Sequence, residues 1–164
     1  MTMRAILFTA LALTLAGCGF HLRGQGDLRL PFRTLYVQGD AQSGFVKELK
    51  REIASSGTTR LTDSPSQAQA VLQVLAEARD KTILSLSGAG RVAEYNLIYR
   101  VSFQLRDAKG KLLIPSADIT LQQAISYSDT EVLAKESEEA QLYRNMQSDA
   151  AQQVLRRLRL VKIE

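Results

Sequence analysis

The amino-acid sequence predicts an α+β two-layer sandwich, in which a four-stranded mixed sheet carries two helices on one face. Three observations support this fold class. A period-two alternation of polar and apolar residues extends from Glu94 to Arg106, and apolar residues recur at helical spacing in two other segments, 45–53 and 132–158. The predicted element order is β-α-β-β-β-α, which packs its apolar helix stripes against a single sheet face.

The first strand is predicted at Thr34–Gln38, with Leu35 and Val37 on one face, and it ends at Gly39 and Asp40. Ser43 is a candidate N-cap for the helix that follows. One face of that helix carries an apolar stripe of Phe45, Val46, Leu49 and Ile53, and Gly57 supplies a left-handed stop.

A second strand is predicted at Ala68–Arg79, because apolar residues alternate there with polar ones. Its core-facing residues are Leu72, Val74, Ala76 and Ala78. A strand, a helix and a further strand form a crossover unit, which predicts parallel pairing with the first strand and a right-handed connection.

The long strand Glu94–Arg106 has the clearest pattern, and a run of this length indicates one buried and one wet face. Its predicted core residues are Tyr95, Leu97, Tyr99, Val101, Phe103 and Leu105. Residues 107–111 predict a hairpin turn. The return strand is predicted at Ala117–Tyr127, with a core side of Ile119, Leu121, Ile125 and Tyr127.

The last element is a long helix that neither glycine nor proline interrupts as far as Leu160. Ser128 and Glu131 have the spacing of a capping box, in which each side chain binds an amide at the helix start. The predicted apolar stripe consists of Val132, Leu133, Leu142, Tyr143, Met146, Ala150, Val154 and Leu158.

This arrangement leaves the second sheet face without helices. The residues predicted there are Gln73, Leu75, Glu77, Arg79, Asn96, Ile98, Arg100 and Ser102. Two interpretations stay open at this point. The face is either a solvated surface, as is common in antiparallel sheets, or a surface pressed against a larger protein partner.

Composition argues against catalysis. The 164-residue chain has one cysteine and one histidine, which excludes metal clusters that need several thiolate or imidazole ligands. A Ser-His-Asp triad would have to use the single histidine, with no other to spare. The pair Gly88 and Gly90 indicates a turn rather than a phosphate-binding loop. No spacing places two carboxylates as a glycosidase pair. We therefore predict no enzyme activity, no metal and no cofactor apart from a covalent lipid.

That lipid is predicted at Cys18. A basic start and an apolar run precede the sequence Leu-Thr-Leu-Ala-Gly-Cys at 13–18, and the run is too short for a membrane span, which needs roughly 20 residues. The alternative is an ordinary cleaved signal that ends near a cysteine. We predict a lipoprotein signal peptide at 1–17, a lipidated tether at 18–31 and one domain at 32–164. Gly19, where an aspartate commonly causes inner-membrane retention, favours the outer membrane.

The start of the tether, Cys-Gly-Phe-His-Leu-Arg at 18–23, resembles the lipopolysaccharide-assembly lipoprotein family, LptE. Shorter similarities follow at Ala93-Glu94-Tyr95 and at Leu133-Ala-Lys135. The resemblance implies a protein inside the lumen of the large outer-membrane β-barrel that inserts lipopolysaccharide into the outer leaflet. It would plug that barrel, help to assemble it and bind lipopolysaccharide.

The resemblance, with the charge pattern, gives candidate residues. Arg91, in the turn before the long strand, and Lys135, near the start of the last helix, are candidates for contacts to lipopolysaccharide phosphates. Each could equally be a solvated surface charge. Phe20, His21 and Arg23 are partner-facing candidates in the tether. An exported protein meets no nucleic acid.

Two other functions stay open from the residues alone. The first is an auxiliary lipoprotein of a lipid-transport system that faces the periplasm and enters no barrel. The second is a lipid-anchored hydrolase, which the lack of histidine and cysteine disfavours.

Overall fold

The computed structural model describes residues 29–128 and 130–162, which form an α+β fold. The strands are β1 (Thr34–Gln38), β2 (Arg60–Leu61), β3 (Ala70–Leu86), β4 (Val92–Asp107) and β5 (Leu112–Ser126). The helices are α1 (Gly44–Ser55) and α2 (Val132–Arg159), with a short 3-10 helix at Pro65–Gln67. The strands form one mixed sheet in the order β2-β1-β3-β4-β5.

The prediction of two helices and a sheet is confirmed, but the prediction of four strands is wrong, because β2 adds a fifth. β2 contains two residues, which is too few for an alternation to be visible in the sequence. It pairs in parallel with β1 through Thr34 with Arg60 and Leu35 with Leu61. The buried Thr59 hydroxyl donates a 2.8 Å hydrogen bond to the Phe32 carbonyl and fixes this edge.

Helix α1 forms as predicted. The Ser43 hydroxyl accepts a 3.0 Å hydrogen bond from the Val46 amide, which is the expected N-cap geometry. Gly57 has φ +68° after the last turn, a conformation that glycine adopts without strain. The buried residues of the helix are Phe45, Val46, Leu49 and Ile53.

β1 pairs in parallel with β3, while β3, β4 and β5 form two long antiparallel pairs. The predicted core face of the long strand is confirmed, since five of its residues are fully covered: Leu97, Tyr99, Val101, Phe103 and Leu105. The hairpin turn is also confirmed. There the Asp107 carboxylate accepts 2.8 Å hydrogen bonds from the amides of Lys109 and Lys111.

β3 contains a register irregularity between Val74 and Ala76 that reverses the faces of the residues after it. Glu77 pairs with Val101, and Val101 is a core residue. Because cross-strand partners share a sheet face, Glu77 and Arg79 lie on the helix-covered side. The prediction that both lie on the open face, with Ala76 and Ala78 on the core side, is therefore wrong.

Helix α2 begins later than predicted, at Val132, with Glu131 at the N-cap and no side-chain cap bond. The predicted capping box is wrong, because the Ser128 hydroxyl hydrogen-bonds the Thr130 hydroxyl at 2.9 Å. Val132 and Leu133 are exposed and do not belong to the buried stripe. The buried residues start only at the twelfth of the 28 helix residues: Tyr143, Met146, Gln147, Ala150, Ala151, Val154, Leu155 and Leu158.

The open sheet face is polar, and its side chains bond to one another. Gln104 donates to Gln73, and Gln73 donates to Gln38, so a row of amides crosses three strands. The Arg100 guanidinium forms an ion pair with the Asp80 carboxylate on the same face. Such a face is compatible with either interpretation above, because a polar interface and a solvated face both need satisfied polar groups.

Candidate functional site

The β3–β4 turn (Ser87–Arg91) and the β5–α2 connection (Tyr127–Glu131) lie side by side at one end of the sheet, which we call the tip. The Tyr127 amide donates a 2.8 Å hydrogen bond to the Ala93 carbonyl and joins the two segments. A shallow cavity of about 310 Å³ lies between them. It is lined by Ser87, Arg91, Val92, Ala93, Tyr127, Ser128 and Thr130.

Arg91 is held at the tip by a tight turn. The Ser87 amide donates a 2.7 Å hydrogen bond to the Arg91 carbonyl, and the Arg91 amide donates to the Ser87 hydroxyl at 3.2 Å. Gly90 reverses the chain with φ +74°. The predicted turn at Gly88 and Gly90 is thus confirmed, and it presents an exposed guanidinium beside the cavity.

Lys135 lies in the first turn of α2, and its side chain is 17% exposed. Its ammonium donates 2.9 Å hydrogen bonds to the Ser126 hydroxyl and to the Glu138 carboxylate. A second cavity, of about 640 Å³, borders Lys135 and Glu138. Thr130 lines this cavity and also the one beside Arg91, so the structure brings the two predicted cations to the same end of the sheet.

Apolar side chains are exposed near the tip, a feature that the sequence analysis missed. The exposed side chains are Ile83, Leu84 and Leu86 on β3 and Val132 and Leu133 on α2, the last at 82%. The signal was present in the run Ile-Leu-Ser-Leu at 83–86, which lies past the predicted strand end at Arg79. Exposed apolar side chains that cluster on a soluble surface mark a contact site for a protein or a lipid.

A charged groove lies beside the tip, between β3 and the first half of α2. Lys81 forms a 2.6 Å ion pair with Glu139, and its ammonium lies 4.3 Å from the centre of the Tyr95 ring. The hydrogen bond to Glu139 raises the pKa of Lys81, and partial burial opposes it. The Tyr143 hydroxyl donates a 2.8 Å hydrogen bond to the Asp80 carbonyl at the inner end of the groove.

A second polar cluster lies deeper, under both helices. The Glu77 carboxylate accepts hydrogen bonds from the Ser43 hydroxyl, the Tyr99 hydroxyl and the Gln147 amide. Burial raises the pKa of Tyr99, and the hydrogen bond to Glu77 acts in the same direction. These bonds join α1, β3, β4 and α2, so the cluster fixes the scaffold that carries the tip rather than a surface site.

The remaining predicted site residues, Cys18, Phe20, His21 and Arg23, lie outside the described residues. Within the part of the chain that the structure describes, neither helix is long and apolar enough to cross a membrane.

Comparison with known proteins gives consistent results. The sequence model of the LptE family, described as lipopolysaccharide-assembly, matches residues 32–158. A protein named LPS-assembly lipoprotein LptE from Pectobacterium atrosepticum is 28% identical over 166 residues, which covers 95% of this chain and 86% of that protein.

Solved structures agree. The solution NMR structure of an uncharacterized lipoprotein B from Nitrosomonas europaea is 37% identical, with a TM-score of 0.74, and the match covers 86% of this chain and 90% of that one. The crystal structure of rare lipoprotein B from Shewanella oneidensis is 22% identical, with a TM-score of 0.68 over 76% of this chain and 92% of that one, and shares the fold.

Proposed function

Because the chain belongs to the LptE family of lipopolysaccharide-assembly lipoproteins, we propose that it binds lipopolysaccharide at the tip and plugs and helps to assemble the outer-membrane β-barrel that translocates this lipid. In this proposal it acts as a partner protein without enzyme activity. The observation that carries the proposal is the placement of Arg91, Lys135 and exposed leucines at one end of the sheet.

Lipopolysaccharide is an amphiphile with anionic phosphates beside fatty acyl chains, and the tip offers a complement to each part. Arg91 presents a guanidinium, the side chain best suited to bidentate binding of a phosphate. Leu86 and Leu133 offer exposed apolar surface near it. Lys135 is bound to Glu138, so a phosphate would take the place of that carboxylate as the partner of the ammonium.

Glu138 returns to solvent easily on release, because its side chain is half exposed, while the Lys135 ammonium keeps its hydrogen bond to the Ser126 hydroxyl. A phosphate accepts several charge-assisted hydrogen bonds, each stronger than a neutral one. Exchange of the Lys135 ammonium from Glu138 to a phosphate is therefore favourable when Arg91 binds the same headgroup.

The barrel part of the proposal uses the open sheet face and the anchor. The lumen of a large outer-membrane barrel is polar, and a plug must present polar groups to it. The bonded polar row of Gln38, Gln73 and Gln104 offers such a surface. In this proposal the lipid on Cys18 holds the domain at the outer membrane, with Phe20, His21 and Arg23 toward the partner.

The test is affinity purification of the tagged, lipidated protein from outer membranes in mild detergent, followed by mass spectrometry and lipid analysis. We expect one large β-barrel protein to co-purify in equal amount, to resist high salt, and to bring lipopolysaccharide with it. Recovery of an inner-membrane transporter, or of no partner, contradicts the barrel function and supports the auxiliary-lipoprotein alternative.

A further inference from the structure

The end of the fold opposite the tip, which we call the base, is formed by the starts of β1, β2 and β3 and by the β4–β5 turn. The Arg60 amide donates a 2.9 Å hydrogen bond to the Arg33 carbonyl and joins the starts of β1 and β2. The Gln69 side chain accepts from the Arg33 amide at 2.7 Å, and the Gln69 carbonyl accepts from the Ala108 amide at 3.1 Å. The β4–β5 turn, with Lys109, therefore lies beside the two arginines.

The last turn of α2 lies toward the base as well. α2 begins at the tip, while β5 begins at the β4–β5 turn in the base. The Arg157 guanidinium donates a 3.3 Å hydrogen bond to the Asp118 carbonyl in the first half of β5. The helix thus runs from the tip to the base, where Arg156 and Lys162 add two exposed cations.

The cations of the base differ from those elsewhere because their side chains are not paired. Lys81, Lys135 and Arg100 each form an ion pair with a carboxylate. In the part of the chain that the structure describes, five exposed cations at the base have side chains without a hydrogen-bond or ion-pair partner: Arg33, Arg60, Lys109, Arg156 and Lys162. Two carboxylates lie in the same connections, Asp63 and Asp107, so the base has an excess of positive charge.

Two leucines are exposed among these cations. Leu160, between Arg159 and Lys162, is 82% exposed, and Leu112, at the start of β5, is 49% exposed. A surface that combines cations with exposed apolar side chains fits an anionic bilayer. The cations attract the lipid phosphates, while the apolar side chains enter the boundary between headgroups and acyl chains.

The position of the predicted anchor favours a membrane over an acidic protein as the partner of the base. The described chain enters the fold at the base, at Arg29, and Leu30 and Phe32 are already buried there. Cys18, the predicted lipidation site, precedes Arg29 by 11 positions. Eleven residues span at most about 40 Å, so a lipid on Cys18 would keep the base close to the bilayer surface.

We propose that the base docks on anionic phospholipid headgroups of the membrane that holds the lipid anchor. A basic surface beside a lipid chain is a second membrane attachment. β4 runs from the tip to the base over 16 residues, so the tip stands about 50 Å from the headgroups in this state. The docked protein is outside the barrel, because a barrel wall around the domain would separate the base from the bilayer. The inference is independent of the function proposed above.

Vesicle sedimentation tests the proposal with the full mature chain carrying Cys18→Ser, since a lipid would hold the protein on any vesicle. Binding is measured with phosphatidylglycerol-rich vesicles and with phosphatidylcholine vesicles. We expect binding to the anionic vesicles alone, with a decrease at high salt. The triple variant Arg33→Gln, Arg60→Gln and Lys109→Gln should lower the partition constant about fivefold for each cation removed, roughly a hundredfold in all.

The matched control is Lys47→Gln with Arg79→Gln and Arg144→Gln, which removes three exposed cations away from the base and should bind as the parent protein does. Leu160→Asn should weaken binding severalfold without changing its salt dependence. Circular dichroism checks the fold of each variant. Equal losses in the two triple variants overturn the proposal, because binding would then follow overall charge alone. Absence of binding to the anionic vesicles also overturns it and leaves an acidic protein as the partner of the base.

Discussion

The Tyr99 hydroxyl donates a 2.8 Å hydrogen bond to the Glu77 carboxylate beneath the two helices. Glu77 reaches this position because the bulge before it turns its side chain from the open face to the covered one. The same carboxylate accepts from Ser43, which caps α1, and from Gln147, which lies on α2. One acidic side chain thereby sets how both helices sit on the sheet.

Removal of this carboxylate should destabilise the fold. Glu77→Ala leaves the Tyr99 hydroxyl and the Gln147 amide without their acceptor, and an unsatisfied buried donor costs about 1–3 kcal/mol. Glu77→Gln retains one acceptor oxygen and should lose less. Urea denaturation of the three proteins measures the free energy of unfolding. Equal stability of the alanine and glutamine variants would contradict a bonding role for Glu77.

Stability should also fall at alkaline pH because of Tyr99. Burial raises the pKa of this phenol above the ordinary value of 10.0, so the folded state favours the neutral form. The contribution of the neutral Tyr99 phenol to the free energy of unfolding is complete below pH 10. It decreases as the pH rises above that value, by up to about 1.4 kcal/mol per pH unit. Tyr99→Phe should lower stability at neutral pH but show a shallower alkaline decline. Lys81 and Tyr143 also titrate in this range, so the test is the difference between the native protein and Tyr99→Phe. Urea denaturation of both proteins at several alkaline pH values measures it.

Two glycines should respond in opposite ways to alanine. A Cβ at Gly39 would lie 2.9 Å from the Val46 side chain and 3.2 Å from that of Val74, so Gly39→Ala overpacks the junction of β1, α1 and β3. We expect a loss of about 1–3 kcal/mol. Gly88→Ala has open space around the new methyl group and should be close to neutral. Thermal unfolding of both variants measures the difference, and a Gly39→Ala protein as stable as the native one would be inconsistent with this packing.

Periodicity was sufficient to predict the elements that bury a continuous apolar face. β1 and α1 were predicted within a residue of their observed bounds, and the long strand β4 within two. Two features escaped. β2 has only two residues, and the bulge near Leu75 leaves the alternation of β3 looking regular in the sequence while its faces exchange. The register of a strand depends on its pairing with another strand, so the pattern of a single segment does not reveal it.

The sequence predicted the charged residues of the tip but not its exposed apolar side chains. Arg91 and Lys135 were identified as isolated candidates, and only the fold shows that the β3–β4 turn meets the start of α2. The exposed Leu84 and Leu86 lie past the predicted end of β3, so their place on the surface was not apparent. The partner of Lys135, Glu138, could have been found from its i,i+3 spacing on a helix.

Charge reversal at the tip tests the proposed lipopolysaccharide contacts. Arg91→Glu combined with Lys135→Glu replaces two cations by anions beside the cavities and should weaken lipopolysaccharide binding by at least about tenfold, since each phosphate then meets a like charge. Lys135→Glu also brings a second carboxylate next to Glu138, so the first turn of α2 should lose some stability. Circular dichroism checks that the double variant keeps its fold.

The control makes the same change in net charge elsewhere. Lys50 on α1 and Lys109 in the β4–β5 turn are exposed and lie away from the tip, so Lys50→Glu with Lys109→Glu alters long-range electrostatics equally. If binding depends on the local geometry at the tip, this control should bind almost as tightly as the native protein, with a difference that disappears at high salt. An equal loss in both double variants would instead mean that lipopolysaccharide responds only to overall charge, and Arg91 and Lys135 would then hold no phosphate.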